Sequence, residues 1–424
     1  MAVEVCDAVL GDAVRRQVAA YDERFLQGLR EAQQRAMGTE NADAQAKAFG
    51  KRDATGVEAV HDTMPTERAV LTRLLAEAAA AAASDDDEGA AAAAAGPVNV
   101  LDFGCGDGRY LRQYLRSAAS LQESCGRELR VVAYEVSVEA LRSFHFNALQ
   151  AGLSLCSAST GASGLQPDLA SLSGNHLHLD FVLGSAETSS EAVGQMLQTW
   201  RGSRAFDVAV IGWGTMSSIP RLPHLSPDAF LAVLAMLSRR VMNVASTTNN
   251  HIRFQGECEA RRCAYAETTR PEVREWLRPK IGLANFPLSY YYKVDTGQLM
   301  FYAAITADSE LARLKQAGYS DVNLHICNVI NFFDIQTKPR AARINAAVIT
   351  LLERGDAWGA QLLLSRAVAK AFGRPQSSLR SGSCIFDGSS KHAVFDQVAR
   401  YFISTGYSEV VDEEKSRKRP LSDA

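Results

Sequence analysis

The stretch that most constrains the fold of this chain is an apolar run that ends in three alternating glycines. Val98 to Phe103 is short and rich in β-forming residues, which predicts a buried strand of a parallel sheet. Gly104, Gly106 and Gly108 follow at every second position, and glycine allows both a positive φ and the close approach of a ligand. A helical pattern begins directly afterwards. The segment therefore predicts a strand, a glycine loop and a helix whose free N–H groups point at a ligand.

The spacing of these glycines argues against a dinucleotide site. That fingerprint reads G-x-G-x-x-G, and the position of its third glycine holds Arg109 here. Residues 102 to 108, Asp-Phe-Gly-Cys-Gly-Asp-Gly, instead resemble motif I of the class I S-adenosylmethionine-dependent methyltransferases. A strand-to-helix turn that binds no ligand is the structural alternative.

The chain from Val98 onwards alternates between strand and helix patterns, which predicts a parallel sheet with helices on both faces. Taken with the resemblance, this predicts an α/β fold with a doubly wound, mostly parallel seven-stranded sheet of the class I methyltransferase type. Helical additions are expected at both ends. The predicted strands are Val98–Phe103, Arg130–Val136, Leu177–Leu183, Phe206–Gly212, Arg240–Ser246, Leu299–Ile305 and Val322–Val329.

Three sections follow from this pattern. Residues 1–96 are predicted to be helical, with a helix that opens at Pro65 and an alanine- and aspartate-rich flexible insertion over 77–96. Residues 97–335 are the predicted S-adenosylmethionine-binding domain. Residues 336–424 are predicted to be helical, with a disordered basic tail.

The late part of the chain contains one further pattern. A helix is expected over Val394–Ile403, followed by Gly406 as a glycine helix stop.

Composition narrows the class of protein. The chain has 424 residues, of which 47% are hydrophobic and 22% charged, and its net charge of −3 gives no general attraction to nucleic acid. Neither a membrane-spanning run nor a secretory signal is expected, and the eight cysteines are expected to be reduced thiols. A cytoplasmic location is the expectation. The basic cluster Lys415–Pro420 makes a nuclear location the alternative.

The resemblance implies S-adenosylmethionine as the cofactor and assigns roles at the strand ends. Asp102, beside the glycines, would meet the ammonium of the methionine part. Glu135 ends the second strand, where an acceptor-only carboxylate suits two ribose hydroxyls. The full expected cofactor-binding set is Asp102, Gly104, Cys105, Gly106, Gly108, Glu135, Val136, Ser185, Ala186, Gly212 and Trp213.

Three members of this set carry explicit alternatives. For Asp102 the structural alternative is an aspartate that caps a helix or holds the loop. Ser185 stands where the family often has an acidic residue that meets the adenine amino group, and serine accepts a hydrogen bond more weakly than a carboxylate. Glu187 is a substitute for it. Trp213 would shield the sulfonium with its ring, or else is a buried packing residue.

Catalytic residues are less clearly marked. Methyl transfer is an in-line displacement that needs a base only if the acceptor must first lose a proton, and His224, His251 and Tyr291 are the candidates. No metal site is expected, since His176 and His178 share a strand face without a third ligand.

The acceptor is open in the sequence. The Asn- or Asp-Pro-Pro-aromatic tetrapeptide of DNA and RNA amino-methyltransferases is absent from the fourth strand end, which favours a small-molecule acceptor. A protein or RNA acceptor is the alternative, and a non-catalytic partner subunit is the rival function. The sequence predicts no oligomeric state.

Overall fold

The computed structural model describes part of the chain and eight helices and eleven strands within it. The described residues are 19, 22–23, 65–84, 96–156, 169–184, 190–201, 206–212, 215–218, 227–246, 288–293, 298–303, 307–328, 339–356, 359–360, 362–363 and 401–408. The helices are α1 (Pro65–Ser84), α2 (Leu111–Cys125), α3 (Val138–Gln150), α4 (Ser190–Arg201), α5 (Thr215–Ser218), α6 (Pro227–Leu237), α7 (Ala307–Gln316) and α8 (Pro339–Glu353). The strands are β1 (Val98–Phe103), β2 (Leu129–Glu135), β3 (Ser154–Leu155), β4 (Leu172–Gly174), β5 (Leu177–Leu183), β6 (Phe206–Ile211), β7 (Ser238–Ser246), β8 (Leu288–Lys293), β9 (Gln298–Ala303), β10 (Tyr319–Asn328) and β11 (Tyr401–Ser408).

Nine of these strands form one sheet in the order β10-β11-β7-β6-β1-β2-β5-β4-β3. The central strands β7, β6, β1, β2 and β5 are parallel to one another, whereas β11, β4 and β3 pair with their neighbours in antiparallel fashion. The structure thus confirms the doubly wound, mostly parallel α/β sheet. The expected count of seven strands is wrong, because β3 and β4 are only two and three residues long and lack a period that a sequence pattern can show.

The strand expected over Leu299–Ile305 exists as β9, but it pairs with β8 in a separate two-stranded sheet. β11 occupies the main sheet between β7 and β10 instead. The helix expected over Val394–Ile403 is therefore wrong at its end, since Tyr401–Ile403 are strand residues. Gly406 is a mid-strand residue opposite Val241 rather than a helix stop.

Helix α1 begins at Pro65, as predicted, and continues through Ser84. The flexible insertion expected over 77–96 is wrong for residues 77–84, because Ala78 and Ala79 are buried in the core beside Leu71 and Leu75. Alanine has the highest helix propensity, and its small side chain fits a close helix-to-sheet contact. α1 therefore belongs to the hydrophobic core.

The order of connections places a crevice at one end of the sheet. The chain proceeds from β1 to β2 and β5 on one side, and then returns to place β6 and β7 on the other side of β1. The loops after β1 and β6 consequently leave in opposite directions, and open α/β sheets bind ligands at such a switch point. The glycines after Phe103 and Ile211 lie there.

Candidate functional site

The loop after β1 adopts the backbone conformation that its glycines allow. Gly104, Gly106 and Gly108 have φ values of 71°, 56° and 89°, which side-chain-bearing residues rarely adopt. The Gly104 N–H donates to the Tyr134 carbonyl at 2.8 Å, so the loop turns back over the end of β2. A side chain at Gly104 would collide with Thr215, and one at Gly108 would collide with Phe144. Internal packing thus requires glycine at both positions.

Glu135, at the end of β2, holds this loop in place. Its Oε2 accepts the Gly106 N–H at 2.9 Å, and its Oε1 accepts the N–H groups of Val136 at 2.8 Å and Ser137 at 3.2 Å. Burial raises the pKa of Glu135, and these three backbone donors oppose the rise. A carboxylate offers about four acceptor positions, so one remains for a ligand hydroxyl. Binding of two hydroxyls would require a backbone donor to be displaced.

Asp102 is the most unusual group of the site. The side chain is fully buried, and in the described part of the chain its carboxylate has the nearby Tyr114 hydroxyl as a weak partner but makes no well-formed hydrogen bond. Burial raises its pKa to about 7, the charge of Glu135 adds to the rise, and the nearby Tyr114 hydroxyl lowers it. An unsatisfied buried carboxylate is costly. A proton or a cation next to the glycine loop would satisfy it.

The remaining described members of the expected set pack the loop. Cys105 is buried, and burial raises the pKa of its thiol, so it is neutral at pH 7. Val136 is half-buried beside Glu135. A side chain at Gly212 would collide with the Gly104 carbonyl, so this glycine allows the β1 and β6 loops to approach each other.

A buried ion pair fastens α1 to the residue after the glycine loop. The Arg109 guanidinium donates to both Glu67 oxygens, at 3.0 and 2.8 Å, and the side chains are 7% and 0% exposed. The Tyr110 hydroxyl also donates to Glu67, at 3.3 Å. Burial alone would lower the pKa of Arg109, but the Glu67 charge outweighs it and the pKa is raised. Arg109 thus fixes the start of α2 from outside the loop.

Asp22 is a neighbour of the site that no sequence pattern singles out. Its carboxylate accepts a 2.5 Å hydrogen bond from Ser137, the N-cap residue of α3, and lies 3.4 Å from the Glu139 backbone N–H. Its charge also raises the pKa of Glu135. Its role could not be predicted because it lies far in sequence from the glycine motif, and neither spacing nor periodicity links residue 22 to residue 137.

The structure brings together the predicted residues at the ends of β1, β2 and β6. Several predicted residues lie outside the described part of the chain. They are Ser185, Ala186, Trp213, His224, His251 and the basic cluster Lys415–Pro420. Tyr291 is in β8, which belongs to the separate sheet. In the described ranges no helix is long and apolar enough to span a bilayer, and no three His, Cys, Asp or Glu side chains form a metal-binding group.

Fold and site together define a doubly wound α/β protein with a glycine loop and two buried carboxylates at its switch point. Nucleotide-like ligands bind at this position in folds of that class. Arg109 stands where a dinucleotide site needs a third glycine, and its side chain is committed to Glu67. The site therefore differs from a dinucleotide site at Arg109, which pairs with Glu67 of helix α1.

Comparison with known proteins gives structural similarity only. No protein-family model matches the chain, and no curated protein matches its sequence. Similar solved structures include the N-terminal domain of EvdMO1 with SAH bound, at 13% identity, a TM-score of 0.30, and coverage of 62% of this chain and 75% of that one. The plantazolicin methyltransferase BamL, in complex with a triazolic desmethylPZN analog and SAH, is 12% identical, with a TM-score of 0.31 and coverage of 92% and 98%.

A third is phosphoethanolamine N-methyltransferase 2 of Haemonchus contortus in complex with S-adenosyl-L-methionine. It is 10% identical, with a TM-score of 0.29, and the match covers 74% of this chain and 49% of that one. The chain thus spans about half the length of the Haemonchus protein. Identities and TM-scores this low assign neither an activity nor a substrate to this chain.

Proposed function

We propose that this chain is an S-adenosylmethionine-dependent methyltransferase that holds its cofactor at the switch point between β1 and β6. The observation that carries the proposal is the pair of buried carboxylates around one glycine loop. Asp102 lies beside the loop without a well-formed hydrogen bond in the described residues, and Glu135 holds the loop by the Gly106 N–H. An amino-acid ammonium and a ribose hydroxyl are the ligand groups that these two acceptors suit.

The described residues fit this cofactor as follows. Asp102 would form an ion pair with the ammonium, and the remaining acceptor position of Glu135 would accept a hydrogen bond from one ribose hydroxyl. Gly104 and Gly212 keep the two loops close, which positions the crevice without filling it. When bound, S-adenosylmethionine supplies an activated methyl group on a sulfonium.

The chain's part in the reaction is to bind, orient and exclude water. Methyl transfer from an activated donor proceeds by in-line displacement, so holding donor and acceptor in line provides most of the rate. A small-molecule acceptor is the proposal that fits the net charge of −3. His224, His251 and Tyr291 stay the candidates for a base, if the acceptor needs one.

Calorimetric titration with S-adenosylhomocysteine tests the cofactor site. The wild-type chain should bind with micromolar affinity, and Glu135→Gln should bind at least about tenfold more weakly, equivalent to about 1.4 kcal/mol. Glu128→Gln is the matched control, because Glu128 is exposed just before the opposite end of the same strand. A parallel titration with NADH should show no binding.

Each outcome decides a separate point. A folded wild-type chain that does not bind S-adenosylhomocysteine would overturn the proposal, as would equal binding by the two variants. Binding without turnover of S-adenosylmethionine against small-molecule, protein and RNA acceptors would identify a non-catalytic partner subunit instead.

A further inference from the structure

A second cluster of reactive side chains lies at the far edge of the main sheet, on strands β3, β4 and β5. The register pairs Leu155 with Leu172 and Leu172 with Leu179, and the Cys156 N–H donates to the Ser171 carbonyl at 3.0 Å. Cys156, Ser171 and Asp180 therefore lie side by side on three adjacent segments of the chain. His178 lies on the same face of β5 as Asp180, because side chains alternate along a strand.

Asp180 is the ionised anchor of this cluster. It accepts hydrogen bonds from Ser171 at 2.7 Å and from Arg130 Nε at 2.9 Å. Burial alone would raise the pKa of Asp180, but the hydrogen bonds from His178 and Ser171 and the charge of Arg130 lower it to about 2. The carboxylate is therefore an acceptor only at neutral pH.

That state of Asp180 determines the tautomer of His178. Nε2 of the ring lies 3.0 Å from the Asp180 Oδ1, and a hydrogen bond to an ionised carboxylate requires the proton to be on Nε2. The neutral ring then has its lone pair on Nδ1, which lies 3.8 Å from the Cys156 sulfur. In this neutral tautomer the thiol is the donor in the contact. Thiol, imidazole and carboxylate thus stand in the order of an activated nucleophile, its base and the group that orients the base.

The other described cysteines lack this arrangement. Cys105 and Cys327 are buried, and burial raises the pKa of both thiols. Cys125 is exposed, but its sulfur faces the Leu121 carbonyl at 3.1 Å. Cys156 is half-buried and the His178 side chain is 32% exposed, so a small reagent can reach the pair.

We propose that Cys156 is a modification site that reacts with low-molecular-weight disulfides. The Cys156 proton passes to Nδ1 of His178, and the thiolate attacks one sulfur of the disulfide. The old S–S bond breaks, a mixed disulfide forms on Cys156, and the second sulfur leaves as a thiolate that takes the proton from His178. Cys156 is oxidised and the leaving sulfur is reduced, so the exchange needs no other reagent.

Site-resolved reaction kinetics test this proposal on the full chain. The folded protein is incubated with hydroxyethyl disulfide, an uncharged reagent, and the remaining thiols are blocked and quantified peptide by peptide by mass spectrometry. At pH 7, Cys156 should react at least about tenfold faster than the more exposed Cys125, because His178 takes up the thiol proton as a general base. His178→Gln should lower the Cys156 rate by a similar factor and leave Cys125 unchanged. His176→Gln, on the adjoining exposed turn, is the matched control.

The pH profile of the wild-type chain is the measurement that does not depend on a variant. When the pH falls from 8 to 6.5, the ionised fraction of an ordinary thiol decreases about 25-fold. The Cys156 rate should decrease less than about tenfold over that range, because the imidazole shares the proton. Cys156 reacting no faster than Cys125, or equal Cys156 rates in the two histidine variants, would overturn the proposal. An equally steep pH profile at the two cysteines would do so as well.

Discussion

Asp102 shows how one residue couples the site to pH. Its pKa is 3.8 in an unfolded chain and about 7 in the fold, where burial disfavours the charged form. Between these values the native protein holds a proton that the unfolded chain has lost. The stabilisation by this proton is therefore complete below pH 4 and is lost as the pH rises through about 7.

The variant Asp102→Asn tests this coupling. Because asparagine does not ionise, the variant should gain stability relative to the wild type as the pH rises from 5 to 8, by about 2.7 kcal/mol at most. Urea unfolding at both pH values measures the difference, and Asp321→Asn, at an exposed residue, is the control. A difference between Asp102→Asn and the wild type that stays constant with pH would contradict the assigned pKa.

The positions of Asp102 and Glu135 could be predicted from the sequence, but their contacts could not. The strand pattern places Asp102 and Glu135 near the ends of two strands, and those strands are neighbours in the sheet. The hydrogen bond from the Gly106 N–H to Glu135 could not be predicted. It depends on the positive φ of the three glycines that occupy every second position of the loop. The isolation of Asp102 is likewise a property of its surroundings.

At the scale of elements, the Glu67–Arg109 pair attaches helix α1 to the start of α2. Both side chains are buried, so removing one charge deprives the other of its ion-pair partner in a medium of low dielectric constant. Hydrophobic packing of Leu71 and Leu75 holds the rest of α1 against the sheet. The pair therefore acts locally on the helix that follows the glycine loop.

Glu67→Gln should destabilise the fold by about 3–5 kcal/mol. Glu77→Gln is its matched control on the same helix, because Glu77 is about half exposed and faces Arg73 at 3.6 Å and Arg240 only at 4.0 Å. These partly solvated contacts should contribute less than about 1 kcal/mol. Chemical denaturation of both variants measures the two effects, and equal losses of stability would disprove the buried role of Glu67.

The sequence predicted α1 from Pro65 and its apolar spacing, but not this pairing. Glu67 and Arg109 are 42 residues apart, and a lone glutamate in a first helical turn is typical of any surface helix. Periodicity reports which face of an element is apolar. It carries no information about which buried polar residue meets which.

For the molecule as a whole, β11 completes the main sheet. It pairs with β7 on one side and with β10 on the other, and its Ser404 hydroxyl donates to the buried Glu310 carboxylate at 3.0 Å. Glu310 also accepts a hydrogen bond from Asn243 of β7 and faces Arg313 at 3.2 Å. One strand thus joins two backbone ladders and a buried polar network.

Removal of residues 401–424 should therefore lower the melting temperature by more than about 10 °C or prevent folding, since two strands lose a partner and Glu310 loses a donor. Removal of residues 412–424 alone leaves β11 whole and is the control. Thermal unfolding followed by circular dichroism compares the two truncations. Equal melting temperatures would show that the sheet does not depend on β11.

The parallel centre of the sheet was predictable because its strands are short segments rich in apolar β-forming residues that alternate with helix patterns. β11 was not, because its core residue Ile403 ends a stretch with a helix-like pattern and its partner strands lie far away in sequence. Non-local pairing gives no signal in a short sequence window. The same cause made the expected helix over Val394–Ile403 wrong.

The position of β11 also has a consequence for how each copy of the protein is made. Its first pair joins Tyr401 to Ser246, so 155 residues must be translated after β7 before its edge is covered. At about 5–20 residues per second, this leaves the edge of β7 open on the ribosome for about 8–30 s. During that interval the β7 edge offers unpaired N–H and C=O groups to any neighbouring nascent chain. Slower elongation over these 155 codons should therefore lengthen the interval in which the edge of β7 is open to other chains.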